Sequence, residues 1–131
     1  MSKVNCNNVY INVSSICKDF DGAFAKKDFK KGELVEFGIV RILPEGFDGH
    51  ISPHVFTWSD DNPNTTWAMG SGCATYYNTA NNDNANVKFI RYYKDLKFEI
   101  VALRDIKKNE ELFHTYKSLQ WRKCFNSIKG I

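Results

Sequence analysis

The sequence predicts a mostly β domain with short helices, on three observations. Runs rich in Val, Ile, Phe and Tyr recur at 9–13, 33–43, 87–93 and 97–103, the second bounded by Gly32 and by Pro44-Glu45-Gly46. Two of these runs flank Lys94-Asp95 closely enough to form a hairpin. Helical spacing of apolar residues, by contrast, is confined to the C-terminal end.

Taken in order, Val9-Tyr10-Ile11-Asn12-Val13 is β-branched and aromatic and reads as the first strand. Phe24-Ala25 leads into a charged turn, Lys26 to Gly32, whose lysines read as solvated surface. A strand over 33–43 follows, closed by Pro44-Glu45-Gly46. Residues 53–60 fit either a short helix or a strand. Gly70-Ser71-Gly72 reads as a tight backbone turn. The Asn-rich stretch 78–86 reads as a solvated loop when taken alone. After the 87–103 hairpin comes a short strand over 112–116. Leu119, Cys124 and Ile128 lie near helical spacing, which predicts a C-terminal helix over 117–128.

A length of 131 residues suits a single domain, 1–131, with a core that needs no disulfide staples. Hydrophobic residues at 43% and aromatics at 15% exclude a disordered chain. No stretch approaches the ~20 apolar residues of a membrane span, and the N-terminus has no apolar signal region. A soluble, intracellular protein with no membrane partner is the expectation. The net charge of +3 is mild, and only four of the 18 basic residues are Arg, so direct nucleic-acid reading is not expected. Cys6, Cys17, Cys73 and Cys124 include no C-x-x-C pair. Free thiols in a reducing compartment and no metal site are expected.

The three histidines, His50, His54 and His114, accompany no Gly-x-Ser-x-Gly elbow, H-E-x-x-H pair or phosphate loop. Four segments in order point elsewhere. Gly22-Ala23-Phe24-Ala25 precedes Asp28-Phe29-Lys30-Lys31-Gly32-Glu33. Gly72 to Tyr77 runs into Asn78-Thr79-Ala80, with Asn84-Ala85-Asn86 after it. A run from Phe98 to Ile106 leads to Glu110-Glu111-Leu112, and Tyr116 and Trp121 follow. This order and spacing resembles the SET-domain protein lysine methyltransferases, most of all their minimal stand-alone viral and bacterial forms. The resemblance covers residues 8–122.

The resemblance implies a SET-domain fold: small twisted sheets, short helices and a C-terminal pseudoknot. It implies S-adenosylmethionine as cofactor and a lysine of a protein substrate, histone among the candidates, as methyl acceptor. A nuclear location would go with a histone substrate, the host nucleus if the chain is viral. By position, Tyr116 matches the family's catalytic tyrosine. Gly22 matches the second Gly of the cofactor loop, Asn78 and Asn84 match its two asparagines, and Phe24 lies beside Gly22. Trp121 falls where minimal members offer an aromatic to the adenine, although a core anchor is an equal reading. His54, Tyr77 and His114 fall where the substrate channel is lined. The pattern departs at Phe20 for the first Gly, Thr79 for His, Ala80 for Ser, Asp83 for Pro and Asn109 for Gly. His54 also stands where an aromatic, often Tyr, is usual. These departures bear on cofactor affinity more than on fold. They leave a rival reading, a catalytically inactive SET-like module that binds a protein partner. The zinc-binding cysteine clusters that flank many members are lacking, so the segment 121–131 or a second copy of the chain, as a homodimer, has to close the site.

The residue chemistry agrees with the resemblance. Methyl transfer from a sulfonium to an amine is an in-line displacement that needs positioning and excluded water. The amine, with a reference pKa of ~10.4, must first lose its proton. An aromatic-walled channel disfavours the ammonium and favours a sulfonium on its faces. Ten Phe, six Tyr and three Trp supply such walls.

Overall fold

The computed structural model describes residues 1–49, 52, 54–59, 66–80 and 84–115. Among these residues nine strands form two sheets around one core. They are β1 (Val9–Val13), β2 (Asp21–Ala25), β3 (Leu34–Ile42), β4 (Phe56–Ser59), β5 (Thr66–Gly70), β6 (Asn78–Thr79), β7 (Val87–Tyr92), β8 (Lys97–Ala102) and β9 (Glu111–His114). Helix is nearly absent from the described residues: a 3-10 turn, Ala74–Tyr76, links β5 to β6. The four-stranded sheet runs β1-β2-β9-β6 and the five-stranded sheet β4-β5-β3-β8-β7. All pairings are antiparallel except β6 with β9, where Asn78 lies opposite Phe113 and Thr79 opposite His114.

Period-two alternation builds the core. In β8, Phe98, Ile100 and Ala102 point inward while Lys97, Glu99 and Val101 lie outside or half-buried. In β3 the alternation is broken by a bulge between Leu34 and Glu36. Val35 and Glu36 are therefore both buried, and a glutamate enters the interior of a strand that otherwise reads as apolar. Ala23, Ala25 and Leu112 carry the four-stranded sheet into the same core.

The expected strands at 9–13 and 33–43 and the 87–103 hairpin all form, the hairpin with a four-residue loop because Tyr92 pairs Lys97. The open choice over 53–60 resolves as strand β4. β5 has no counterpart in the sequence reading, because Ala68, Met69 and Gly70 are poor strand formers. Its Trp67 and Ala68 are buried between β4 and β3, and packing overrides propensity there. The strand expected at 112–116 begins at Glu111 and runs to His114. Tyr116, Trp121 and the expected helix over 117–128 lie outside the described residues.

The solvated loop expected over 78–86 needs correction. Asn78 and Thr79 are a buried strand, and Ala85 and Asn86 are buried too. Asn86 explains how polar residues can go inside. Its Nδ2 donates to Glu111 O at 2.8 Å and Glu110 Oε2 at 3.0 Å, and its Oδ1 accepts from Phe113 N–H at 2.8 Å.

Two turns mirror each other across an isolated bridge between Phe29 and Ile106. The sequences are Asp28-Phe29-Lys30-Lys31-Gly32-Glu33 and Asp105-Ile106-Lys107-Lys108-Asn109-Glu110. Each aspartate caps the other turn: Lys108 N–H donates to Asp28 Oδ1 at 2.8 Å and Lys31 N–H to Asp105 Oδ1 at 2.9 Å. Asn109 takes the left-handed conformation (φ 72°) that Gly32 takes in its twin (φ 86°), so the departure from Gly at position 109 leaves the turn intact. These turns set the ends of β3 and β9, and β9 delivers the site.

Candidate functional site

Glu111 is the centre of a knot that joins four chain segments. It opens β9, pairs across to Phe24 of β2, and is buried. Its Oε2 accepts from Ser14 Oγ at 2.8 Å and from Asn78 Nδ2 at 3.2 Å. Its Oε1 accepts from Ser15 N–H at 2.7 Å and from the Ser15 hydroxyl. Asn78 Nδ2 also donates to Asp21 O at 3.0 Å. Gly22 is what lets the carboxylate in. A Cβ at position 22 would stand 2.3 Å from Glu111 Oε2 and 3.1 Å from Asn78 Nδ2. Gly22 and Asn78, far apart in sequence, are thus brought into contact through Glu111. Phe24, two residues along the same strand, stacks on Tyr10 with ring centroids 5.4 Å apart. Asn84 is exposed, two residues before the buried Asn86.

A second group of expected residues gathers around Phe89. His114 lies 4.9 Å from its ring centroid and Tyr77 5.9 Å, edge to face. Burial, followed by the positive charge of Arg91, pushes the His114 imidazole down to about 3, so the ring is neutral at physiological pH. Tyr77 is fully buried with its hydroxyl turned away, donating to Glu36 Oε1 at 2.6 Å. Its phenol is raised well above the ordinary value, by burial first and then by Glu36. His54 is exposed, with its N–H on Ser52 Oγ at 3.3 Å, and the structure does not bring it to this cluster.

Two residues that sequence reasoning passed over organise this region. Glu111 was legible only as part of a Glu-Glu-Leu run, yet an acidic residue that opens a buried apolar strand is itself a signal. Glu36 is hidden by the β3 bulge. Its Oε2 accepts from Cys73 N–H at 2.9 Å. Burial raises its carboxyl above the usual range, against the two hydrogen bonds that lower it. The Cys73 thiol is pushed up to about 12, by burial first and then by Glu36.

The family model of the SET domain matches residues 21–117. The chain belongs to the SET domain family. The match runs from the strand that carries Gly22 through β9, so the Gly22–Asn78–Glu111 knot lies within the SET domain. No curated protein matches the sequence significantly. Solved structures share the fold at low identity. A Plasmodium falciparum candidate histone methyltransferase is 20% identical at a TM-score of 0.62, covering 83% of this chain and 96% of that one. The methyltransferase domain of human PR domain-containing protein 2 is 18% identical at 0.60, covering 84% and 77%. A Chaetomium thermophilum Polycomb Repressive Complex 2 structure bound to S-adenosylmethionine is 21% identical at 0.67. It covers 87% of this chain, but the chain spans only 16% of that one. Among the described residues no helix is long and apolar enough to cross a membrane.

Proposed function

We propose that the protein transfers a methyl group from S-adenosylmethionine to a lysine of a protein substrate, histone being the substrate class that the structural neighbours suggest. The observation that carries this reading is the SET match over 21–117, which includes Gly22, Asn78 and Tyr116. The residues present fit a cationic cofactor. Glu111 holds a buried carboxylate among neutral donors only, next to Gly22 and Asn78, and no ion pair to it occurs among the described residues. The neutral His114 adds no positive charge beside the Phe89 ring, over which the Arg91 guanidinium already lies at 5.9 Å. When bound, the cofactor supplies an electrophilic methyl group on a sulfonium.

In this reading Gly22, Phe24, Asn78 and Asn84 surround the cofactor, and Trp121 offers its ring to the adenine. His114 and the rings of Tyr77 and Phe89 line the lysine channel; His54 is exposed and is not gathered to them. These walls exclude water and favour the neutral amine, whose proton leaves to solvent before transfer. The Tyr116 hydroxyl orients the amine lone pair in line with the methyl carbon. Bound S-adenosylmethionine would supply its methyl group to that lone pair, with the thioether as leaving group. An intracellular and, with a histone substrate, nuclear site of action goes with the reading.

Calorimetric titration with S-adenosylmethionine, paired with turnover on histone and other lysine-bearing proteins, tests it. Tyr116→Phe should keep cofactor affinity and the melting temperature and lose a factor of ~10²–10⁴ in rate. Near wild-type turnover in that variant removes Tyr116 from the chemistry. Failure of the folded protein to bind the cofactor favours the partner-binding module, for which the departures at Phe20, Thr79 and Ala80 speak.

A further inference from the structure

Cys6, Glu36 and Cys73 meet in a cluster that shares no residue with the Glu111 knot, and none of the three takes a chemical role in the proposed transfer. Three separate segments deliver them. Asn5 bridges Phe37, with Asn5 N–H on Phe37 O at 2.9 Å and Phe37 N–H on Asn5 O at 3.2 Å, which lays Cys6 beside β3. The β3 bulge turns Glu36 inward toward it. The turn after β5 brings in Cys73, whose N–H holds Glu36 Oε2. Both Sγ atoms and a carboxylate oxygen of Glu36 lie within 4.8 Å of one another. Position 72 leaves the space open, since a Cβ there would lie 2.4 Å from Glu36 Oε2 and 3.3 Å from Cys6 Sγ.

Acidic groups dominate this cluster, although the charge of Lys26 reaches Cys73. Glu36 is 1% exposed, its neighbours are two thiols and a phenol, and no ion pair to it occurs among the described residues. A buried carboxylate with no ion-pair partner is costly. Tyr77 and Cys73 each occupy one lone pair on a different oxygen, so each oxygen keeps one free for another partner. Thiolate sulfurs of a tetrahedral zinc site, at ~2.3 Å from the metal, stand roughly 3.8 Å apart, so closing on an ion needs at most about 1 Å of movement. Cys6 is half-buried, which leaves a way in, while Glu36 and Cys73 are buried.

We propose that Cys6, Glu36 and Cys73 form a binding site for a borderline-soft divalent cation, Zn²⁺ by the class of its ligands, with water in the fourth position. Two sulfurs select against Mg²⁺ and Ca²⁺, and the carboxylate completes a set that zinc accepts. Bound metal would tie the N-terminal segment to β3 and to the turn that leads into Asn78. The sequence expectation of no metal site rested on the lack of a C-x-x-C pair. Ligands this far apart in the chain leave no such signal.

The test uses the full chain, reduced and stripped with chelator, and titrates it with Co²⁺ as a spectroscopic probe. A single equivalent should bind with thiolate-to-cobalt charge-transfer absorption, be displaced by Zn²⁺, and raise the melting temperature. Cys6→Ser should abolish the band, Glu36→Gln should weaken binding at least about tenfold, and Cys17→Ser should leave both unchanged. Because a buried substitution can unfold the chain, alkylation of the wild-type thiols, read by mass spectrometry, provides an independent measurement. Saturating Zn²⁺ should slow modification of Cys6 by at least about tenfold and leave Cys17 untouched. Equal Cys6 alkylation with and without Zn²⁺ overturns the site, as does a cobalt spectrum with no thiolate band or one that survives Cys6→Ser. A Cys6–Cys73 disulfide that forms in air, with no zinc protection in the reduced protein, overturns it in favour of a redox pair. None of these outcomes depends on methyl transfer.

Discussion

Glu36 and Glu111 are two buried carboxylates installed by the same device, and they behave differently. Each fills space that a glycine leaves open: Gly72 faces Glu36 and Gly22 faces Glu111. Neither has an ion-pair partner among the described residues. Glu111 is wrapped by donors from the 14–15 segment and from β6, so each oxygen accepts two hydrogen bonds. Glu36 accepts one per oxygen, from Tyr77 and Cys73, and burial raises its carboxyl. The contrast separates a saturated carboxylate, which knots segments together, from an undersupplied one that retains capacity for a further partner. Donor supply, more than burial, distinguishes the two sites.

The largest test acts on the space itself. Gly72 has φ 60°, so Gly72→Ala adds left-handed strain of about 1–2 kcal/mol to the collision with Glu36. Overpacking costs about 1–3 kcal/mol more. Gly22→Ala meets only the second cost. Urea unfolding should therefore rank Gly72→Ala below Gly22→Ala in stability, both below wild type. If Gly72→Ala is the milder change, the Glu36 pocket is looser than the distances indicate and the parallel between the two sites breaks.

A smaller effect reads donor supply directly. In Glu111→Gln the amide keeps one oxygen, and two donors sit on opposite oxygens: Ser15 N–H, which cannot accept, and Asn78 Nδ2, which is held by its bond to Asp21 O. One of them must face an NH₂ group, and a buried orphaned donor costs about 1–3 kcal/mol. In Glu36→Gln the oxygen can face Cys73 N–H while the NH₂ donates to the Tyr77 hydroxyl; the phenol hydrogen then loses Glu36 as acceptor, a cost offset by removing a buried charge. The metal-free Glu36→Gln protein should stay within about 1 kcal/mol of wild type at neutral pH. Equal losses in the two variants, measured by urea unfolding, would show that donor supply does not distinguish the sites.

The two sites also differ in how far the sequence discloses them. Gly22, Phe24 and Asn78 were legible because the SET resemblance runs through them in order. The strands around them were legible because β-branched runs and turn residues punctuate the chain. Glu36 was not legible. Strict alternation through Leu34-Val35-Glu36-Phe37 predicts Val35 and Phe37 inside and Glu36 out, and only the bulge reverses this. The buried Asn86 was read as loop because its burial depends on three hydrogen bonds to residues 110–113, which no local pattern encodes. Tyr77, expected in the channel, owes its hydroxyl direction to Glu36 and so shares the same blind spot. Long-range polar pairing was what the sequence withheld, and both glutamates depend on it.

The smallest expected effect is a slope. Because burial raises the Glu36 carboxyl in the folded state, the sign of its linkage is the reverse of an ordinary paired carboxylate. Below the unfolded value, near ~4.3, the group is protonated in both states and costs nothing. As the pH rises past that value the unfolded chain ionises first, folding takes up a proton, and stability falls until the folded group has ionised as well. Glu36→Gln has no such proton. The stability of wild type relative to Glu36→Gln, both metal-free, should therefore be greatest near about pH 4 and decline toward neutrality, whatever the other titrating groups contribute to both. His114 runs the opposite way: its imidazole is lowered to about 3, so its contribution is lost as pH falls from ~6.5 toward that value, and subtracting the two curves cancels it. Urea titrations across that range measure the difference directly. A gap that is flat or that grows with pH would mean that burial does not raise the Glu36 carboxyl in the folded state. A gap that closes on addition of Zn²⁺ would place the missing positive charge at Glu36, because a bound dication removes the penalty of ionising it.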